Sequence, residues 1–323
     1  MSGDDSAAVT APPAAAEPLP VPAPAARLWL GFAFAIASAV GFACKAILAK
    51  LAYRTGVDAT TVLGLRMGFS LPAYLLLAWL GAQRRTRRLT SRAWAEVAAL
   101  GLLGYYLASY LDFVGLTRIS AGLERLILFL YPSIVVVLAA LRNGRRVRAR
   151  EWQAMALGYA GIACVFAADS GKSPHGAAAW LGVLAVFASS LAYSAYLVFA
   201  ERVVAQLGSL YFTGLAMSFA CLFSVTHFAL VTESVAAIPG TAVYLCALMA
   251  LFATVVPTWM LAEAVHRIGS GRAALCGMVG PVLTVALEVL VLGEHASWAD
   301  AVGTALVIGS VVLLTRDVRR SRL

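Results

Sequence analysis

Apolar residues run through this chain in long unbroken blocks, with short polar connections between them and little alternation inside them. A helix needs about 20 residues to cross the hydrocarbon of a bilayer. The pattern predicts spans at Leu28–Leu51, Ala59–Leu80, Ala93–Leu116, Leu123–Leu141, Trp152–Ala168, Ala177–Ala200, Ser209–Val231, Thr241–Ala264, Ala273–Leu292 and Trp298–Thr315. They are rich in Leu, Ala, Val and Phe and apolar all round, as helices of a bundle in lipid are. Residues 1–26 differ: mostly Ala and Pro, with acids at Asp4, Asp5 and Glu17. Such a segment buries too little apolar surface to fold. It has no basic stretch before an apolar core and no clear cleavage site, so it reads as a disordered cytoplasmic tail and not as a signal peptide.

The blocks repeat. RISAGLERLILFLYPSIVVVLAAL, from Arg118 to Leu141, returns as RIGSGRAALCGMVGPVLTVALEVL, from Arg267 to Leu290. At one fixed offset Arg118 matches Arg267, Gly122 matches Gly271, Pro132 matches Pro281 and Gly144 matches Gly293. Weaker echoes pair Ala37-Ser38 with Ala188-Ser189, and Gly64-Leu65-Arg66-Met67 with Gly214-Leu215-Ala216-Met217. The chain is therefore internally duplicated: a first copy at 27–168, a second at 177–315, a seam at Asp169–Gly176 and a basic tail at 316–323. Five spans per copy is an odd number, so the second copy must cross the membrane in the opposite sense to the first. The predicted fold is an all-α integral membrane protein of ten transmembrane helices, arranged as two inverted five-helix repeats.

Charge adds orientation. Hydrophobic residues make up 61% of the chain and charged ones only 13%, where a soluble globule carries about 25% charged. The net charge of +9 does not indicate nucleic acid, because the arginines form short tracts between apolar runs with no aromatic-basic face. Arg84, Arg85, Arg87, Arg88 and Arg92 occupy one connection; Arg142, Arg145, Arg146, Arg148 and Arg150 another; Arg316, Arg319, Arg320 and Arg322 the tail. Connections of the other parity hold little beyond Arg54, Arg118, Lys172, Glu294 and His295. By the positive-inside rule both termini are cytoplasmic, in a multi-pass protein of the cytoplasmic membrane. The five cysteines, Cys44, Cys164, Cys221, Cys246 and Cys276, all lie in apolar runs without metal-ligand spacing, so neither a disulfide nor a metal is expected, and no cofactor is implied.

Two five-span halves, each with a small-residue-rich fourth helix broken by Pro, resemble the drug/metabolite transporter superfamily, EamA type. The resemblance covers residues 27 to 315 and rests on Arg118…Gly122…Tyr131-Pro132, Arg267…Gly271…Gly280-Pro281 and Gly293-Glu294. The first copy departs from the family pattern, with Asn143-Gly144-Arg145-Arg146 where an acid is usual after the fourth span. The resemblance implies a carrier that exports or exchanges small metabolites through a central cavity between the halves. It does not identify the metabolite.

Ionisable residues inside spans are expensive unless paired or hydrated, and so mark candidate sites. Lys45, Arg66, Asp112, Glu124, Arg125 and Glu288 all fall in the outer half of the predicted membrane, with Arg66 and Glu124 on the order of 10 Å below its surface. Cations and anions at one depth suggest an external ion-pair gate, formed by Arg66, Asp112, Glu124, Arg125 and Glu288; snorkelling to the interface is the plainer alternative. A second set supplies candidates for a mid-membrane substrate cavity: Lys45, Ser109, Tyr110, Tyr131, Ser189, Tyr193, Tyr196 and Trp259, with helix packing as the alternative role. Tyr193 and Tyr196, three apart, share one helix face. Pro132 and Pro281 are symmetry-matched hinge candidates, since each removes a backbone hydrogen bond. Gly158…Gly161 and Ala273…Gly277 read as places of close helix approach. His227 reads as a buried neutral histidine, and Glu263, His266 and Arg267 as a solvated helix end.

These features favour a secondary transporter over an enzyme. No Walker A sequence is present, so ATP does not drive it directly, and neither HExxH nor a paired-Asp motif suggests a membrane enzyme. A signalling receptor has no need of inverted halves. If protons are the coupling ion, Asp112, Glu124 and Glu288 are the candidate carriers; exchange is the other route. No cation lies between Ala273 and Thr315, whereas sugar phosphates and nucleotide sugars want deep cations. The partners implied are therefore the bilayer and a small amino-acid- or amine-like metabolite, with export as the direction that the resemblance favours.

Overall fold

A computed structural model describes residues 25–83, 89–142, 144, 146–170, 176–232, 234–268, 276–277, 279–293 and 297–320. Residues 1–24 of the tail, Arg84, Arg85, Arg87, Arg88, Arg145, Lys172, Gly271, Ala273, Glu294, His295 and Arg322 lie outside the described residues, as do the side chains of Asp169, His266, Arg316, Arg319 and Arg320.

Every predicted span falls on helix where it is described. The helices are α1 (Ala25–Tyr53), α2 (Ala59–Gln83), α3 (Ser91–Leu116), α4 (Ala121–Arg142), α5 (Ala149–Ser170), α6 (Gly176–Leu207), α7 (Ser209–Val231), α8 (240–268), α9 (Val279–Leu292) and α10 (Trp298–Arg320). No strand occurs among the described residues. Among the described residues, seven helices are long and apolar enough to cross a membrane: α1–α4 and α6–α8. Arg150, Glu151 and Gln153 lower the apolar content of the first turns of α5; the described part of α9 is a shorter apolar helix. Leu230 is 81% and Leu290 80% exposed, as suits a lipid-facing surface and not a water-facing one.

The helix starts follow from local chemistry. The Asp58 carboxylate accepts the Thr61 N–H at 3.0 Å and opens α2. Partial burial pushes the Asp58 carboxyl up, but the hydrogen bonds from Thr61 and Thr60 outweigh it and hold the group below its ordinary value. Thr90 caps α3 and Ser120 caps α4 in the same way. At α10 the cap is reciprocal: Asp300 accepts the Ser297 N–H at 2.7 Å, and Ser297 Oγ accepts the Asp300 N–H at 3.4 Å. At the matched start of α5, Glu151 accepts the Arg148 N–H at 2.7 Å.

The duplication is visible in the backbone. α3 widens into a π-helical stretch at Leu102–Leu107 and α8 does so at the matched Leu251–Val255. Gly144 and Gly293, matched in sequence, both take positive φ, at 65° and 72°, which glycine alone adopts freely. α2 packs on α7, α5 on α10, α1 on α8 and α3 on α6, so exchanging the two copies maps these pairs onto themselves or each other. The crossing of α5 and α10 is close because Gly161 and Gly303 meet there: a Cβ on either would stand 2.7 Å from the other's carbonyl oxygen. The close approach expected at Gly158 and Gly161 is thus realised.

α4 breaks at Phe129–Leu130, just ahead of Pro132, which lacks the N–H that would bond the Leu128 carbonyl. Two serines of α6 cover the break. Ser190 Oγ donates to the Ile127 carbonyl at 3.1 Å and sits 3.5 Å from that of Leu128; Ser194 Oγ lies 3.1 Å from the Tyr131 carbonyl. Pro281 is buried within α9.

Candidate functional site

Three helices of the first copy bring an ammonium between two carboxylates. Lys45 Nζ, from α1, lies 2.5 Å from Asp112 Oδ2 of α3 and 3.2 Å from Glu124 Oε1 of α4. Lys45 keeps only 14% of its side chain exposed, Asp112 3% and Glu124 none. Taking such charges out of water is tolerable only because they meet each other. The face of Phe113 closes one side, with Lys45 Nζ 5.7 Å and Arg66 Cζ 4.9 Å from its ring centre.

The third acid, Glu288 of α9, reaches across to the other copy. Its two oxygens accept the backbone N–H groups of Ala121 and Gly122 at 2.6 and 2.8 Å. These are orphan donors of the first turn of α4, where the helix dipole also favours an anion. Gly122 permits the approach, since a Cβ there would stand 2.8 Å from Glu288 Oε2. Two further bonds tie the same end of the bundle: Arg54 Nη2 to the Leu292 carbonyl at 2.9 Å, and Tyr53 to the Phe113 carbonyl at 3.0 Å.

Arg66 sits deeper, 5% exposed, in the apolar cluster of α1, α2, α3, α7 and α8. Its Nη1 donates to Thr254 Oγ1 at 3.3 Å, and that hydroxyl bonds the Met249 carbonyl at 3.1 Å in the π-helical stretch of α8. Arg66 Nε and Nη2 are buried without a hydrogen-bond partner.

Next to the charged cluster stands a wall of tyrosines. Tyr193 and Tyr196 share one face of α6, as their spacing predicts, with ring centres 5.8 Å apart. Tyr105 of α3 lies 4.9 Å from Tyr196, whose hydroxyl donates to that of Tyr105 at 3.2 Å. Tyr131 of α4 meets Tyr193 edge-on at 5.5 Å. Tyr105, Tyr131 and Tyr193 lie deep in the bundle, yet each keeps some surface accessible. Gly104 makes room for this wall: a Cβ there would stand 2.2 Å from the Tyr196 ring.

The candidates thus sort differently from their sequence grouping. Lys45, expected in the cavity, meets the acids, while Arg125, expected in the gate, lies against the Phe129 ring and Gly280, within electrostatic reach of Lys45, Glu124 and Tyr131. Tyr110 stacks on Tyr106 beside His227, whose Nδ1 lies 2.9 Å from the Tyr106 hydroxyl. Ser189 is buried, Ser109 is half-buried and Trp259 is 54% exposed, edge-on to Phe34; none joins the tyrosine wall. Arg267 pairs with Glu263 at 2.5 Å at the end of α8. Thr254, Ser190 and Ser194 escaped the sequence reading. The four-residue spacing of Ser190 and Ser194 opposite a Pro-broken span was the available signal; Thr254 had none. Among the described residues no group of His, Cys, Asp or Glu is arranged to hold a metal.

The EamA-like transporter family matches the chain twice, over residues 29–167 and 180–316. The chain belongs to the EamA-like transporter family. It is a multi-pass membrane transporter and not an enzyme, with the two-repeat architecture that the sequence indicated. It is 27% identical over 273 residues to "Uncharacterized transporter YcbK" of Bacillus subtilis, covering 83% of this chain and 87% of that protein. It is 28% identical over 275 residues to "Probable terminal-alkyne amino-acid exporter" of Streptantibioticus cattleyicolor, covering 82% of this chain and 88% of that one. A solved structure, titled only as the crystal structure of a protein, shares the fold at a TM-score of 0.59 and 20% identity, over 93% of this chain and all of that one.

Proposed function

We propose that this protein is a secondary transporter of the cytoplasmic membrane that exports a small amino-acid-like metabolite by alternating access of two inverted five-helix repeats. The observation that carries the reading is the position of the charged cluster. Lys45, Asp112 and Glu124, with Glu288 bridging the copies, close the bundle at the end bearing the turns after α1 and α3. The arginine-rich connections lie at the other end, so the positive-inside rule makes the closed end external and both termini cytoplasmic. Asp112, Glu124, Glu288, Arg66 and Arg125 then belong to an external gate and its approach, and Tyr131, Tyr193 and Tyr196 to the wall of the substrate space. Lys45 serves the gate. The kink at Pro132 and its partner Pro281 give the hinges. Opening the gate must exchange the Lys45 ion pairs for water, substrate or a proton on a carboxylate, which gives a direct route to proton coupling or exchange. The amino-acid preference is supported by the absence of cations from α9 and by the likeness to an amino-acid exporter.

Counterflow in proteoliposomes tests this. Vesicles preloaded with unlabelled propargylglycine, a terminal-alkyne amino acid, should transiently accumulate labelled L-phenylalanine or propargylglycine. Lys45→Gln should cut that flux about tenfold or more while the protein still inserts and purifies as a monodisperse species, since one hydrogen-bonded charge pair is worth more than 1.4 kcal/mol. Counterflow of glucose 6-phosphate with none of amino acids would instead place the protein among sugar-phosphate exchangers.

A further inference from the structure

Among the described cations inside the bundle, Arg125 is the one that makes no ion pair and is open to a ligand. Lys45 is held by Asp112 and Glu124, and Arg267 by Glu263. Arg66 has no acid either, but its unpaired Nε and Nη2 are sealed in apolar surroundings where no solute reaches. Arg125 makes no ion pair or hydrogen bond among the described residues; its Nε is buried, as in Arg66, but the side chain is half-buried as a whole and its two Nη atoms are not sealed. Its guanidinium lies 5.5 Å from the Phe129 ring and against Gly280, where a Cβ would stand 3.1 Å from Nη2 and 3.5 Å from Nε. It therefore occupies the place where the two Pro-bearing helices, α4 and α9, approach each other.

Tyr131 and Tyr193 complete the surroundings. They pack edge-on at 5.5 Å, and Arg125 is within electrostatic reach of Tyr131. Neither hydroxyl bonds another described residue, and neither is sealed from solvent. The two Nη groups of a guanidinium near one free phenol, with a second phenol packed on the first, form a donor set that a carboxylate takes, bidentate on the Nη pair with an O–H at the side. The ring faces offer an apolar body for whatever the carboxylate is attached to.

The geometry points to a carboxylate subsite: Arg125 holds the α-carboxylate of the transported amino acid, with Tyr131 and Tyr193 donating to it and packing on its side chain. This rests on the transport reading above and narrows it, because it requires an acid and excludes the corresponding amine. One guanidinium facing two neutral phenols matches a single negative charge and not a phosphate dianion.

The test is competition in counterflow. Labelled L-phenylalanine is exchanged by wild-type protein in vesicles, and unlabelled competitors are added: L-phenylalanine, 2-phenylethylamine, propargylglycine and its decarboxylated counterpart but-3-ynylamine. The two amino acids should compete at least tenfold better than the two amines. Arg125→Gln should raise KM for L-phenylalanine at least tenfold and erase the preference for the acid, and Arg125→Lys should restore part of it. Gly280→Val keeps the charge but pushes the guanidinium aside, and should raise KM with little change in kcat. Amines competing as well as the amino acids, or Arg125→Gln keeping the wild-type KM and preference, overturns the subsite while leaving transport intact. Wild-type protein moving no amino acid at all overturns both the subsite and the reading beneath it. Should Arg125→Gln not fold, the competitor series on wild-type protein and the Gly280→Val kinetics decide alone.

Discussion

Lys45 is the residue on which most of the local electrostatics depend. One ammonium sits between two buried carboxylates and is the cation nearest to both. Removing one partner of a buried pair leaves an uncompensated charge and costs about 3–5 kcal/mol. Lys45→Met should lower the stability of the purified protein by that amount, and adding Glu124→Gln should recover part of it, both read from denaturant titration in detergent; a Lys45→Met protein as stable as wild type would show that the cluster is not a structural requirement. The depth and sign of these residues were readable in the sequence, because a charge in an apolar run stands out. Their partners were not. That Lys45 and not Arg125 meets the acids was not legible, since which of several cations meets an acid depends on helix rotation, and an all-round apolar span carries no amphipathic stripe to reveal it.

The helices themselves were legible for the same reason that their rotations were not: length and apolarity define a span, and caps such as Asp58, Ser120 and the Ser297–Asp300 pair mark where it starts. The Pro132 break was expected, but its covering by Ser190 and Ser194 was not, because the bond partners lie on a different helix. The π-helical stretches were also invisible. Pro257 follows the second, but Ala108 stands at the matched place after the first, so proline does not produce them. Close approach of α5 and α10 gives a prediction at this scale. Gly303→Leu forces a large side chain into the Gly161 backbone and should destabilise by about 1–3 kcal/mol or more, whereas Gly240→Ala, where a Cβ meets nothing, should be near neutral. Thermal unfolding in detergent compares the two, and equal melting temperatures would contradict the packing described.

For the whole molecule the offset repeat carried most of the information. It yielded two copies and their boundaries, and the pairing of α2 with α7 and α5 with α10 follows the same exchange of copies. Orientation and rocking rest on arginine placement and on the closed end of the bundle. Fusion reporters at Gln83 and Gly144 should read as cytoplasmic and one at Ser234 as external; the reverse would turn the gate to face inward. The central claim is that this closed end opens. Spin labels at Thr117 and Trp298, which flank it from the two copies, in protein whose five native cysteines are replaced, measure that opening by pulsed electron–electron resonance in lipid. The account predicts a short and a longer separation in exchange, with L-phenylalanine shifting their populations and Lys45→Gln favouring the longer. A single unchanged separation under all these conditions would contradict it.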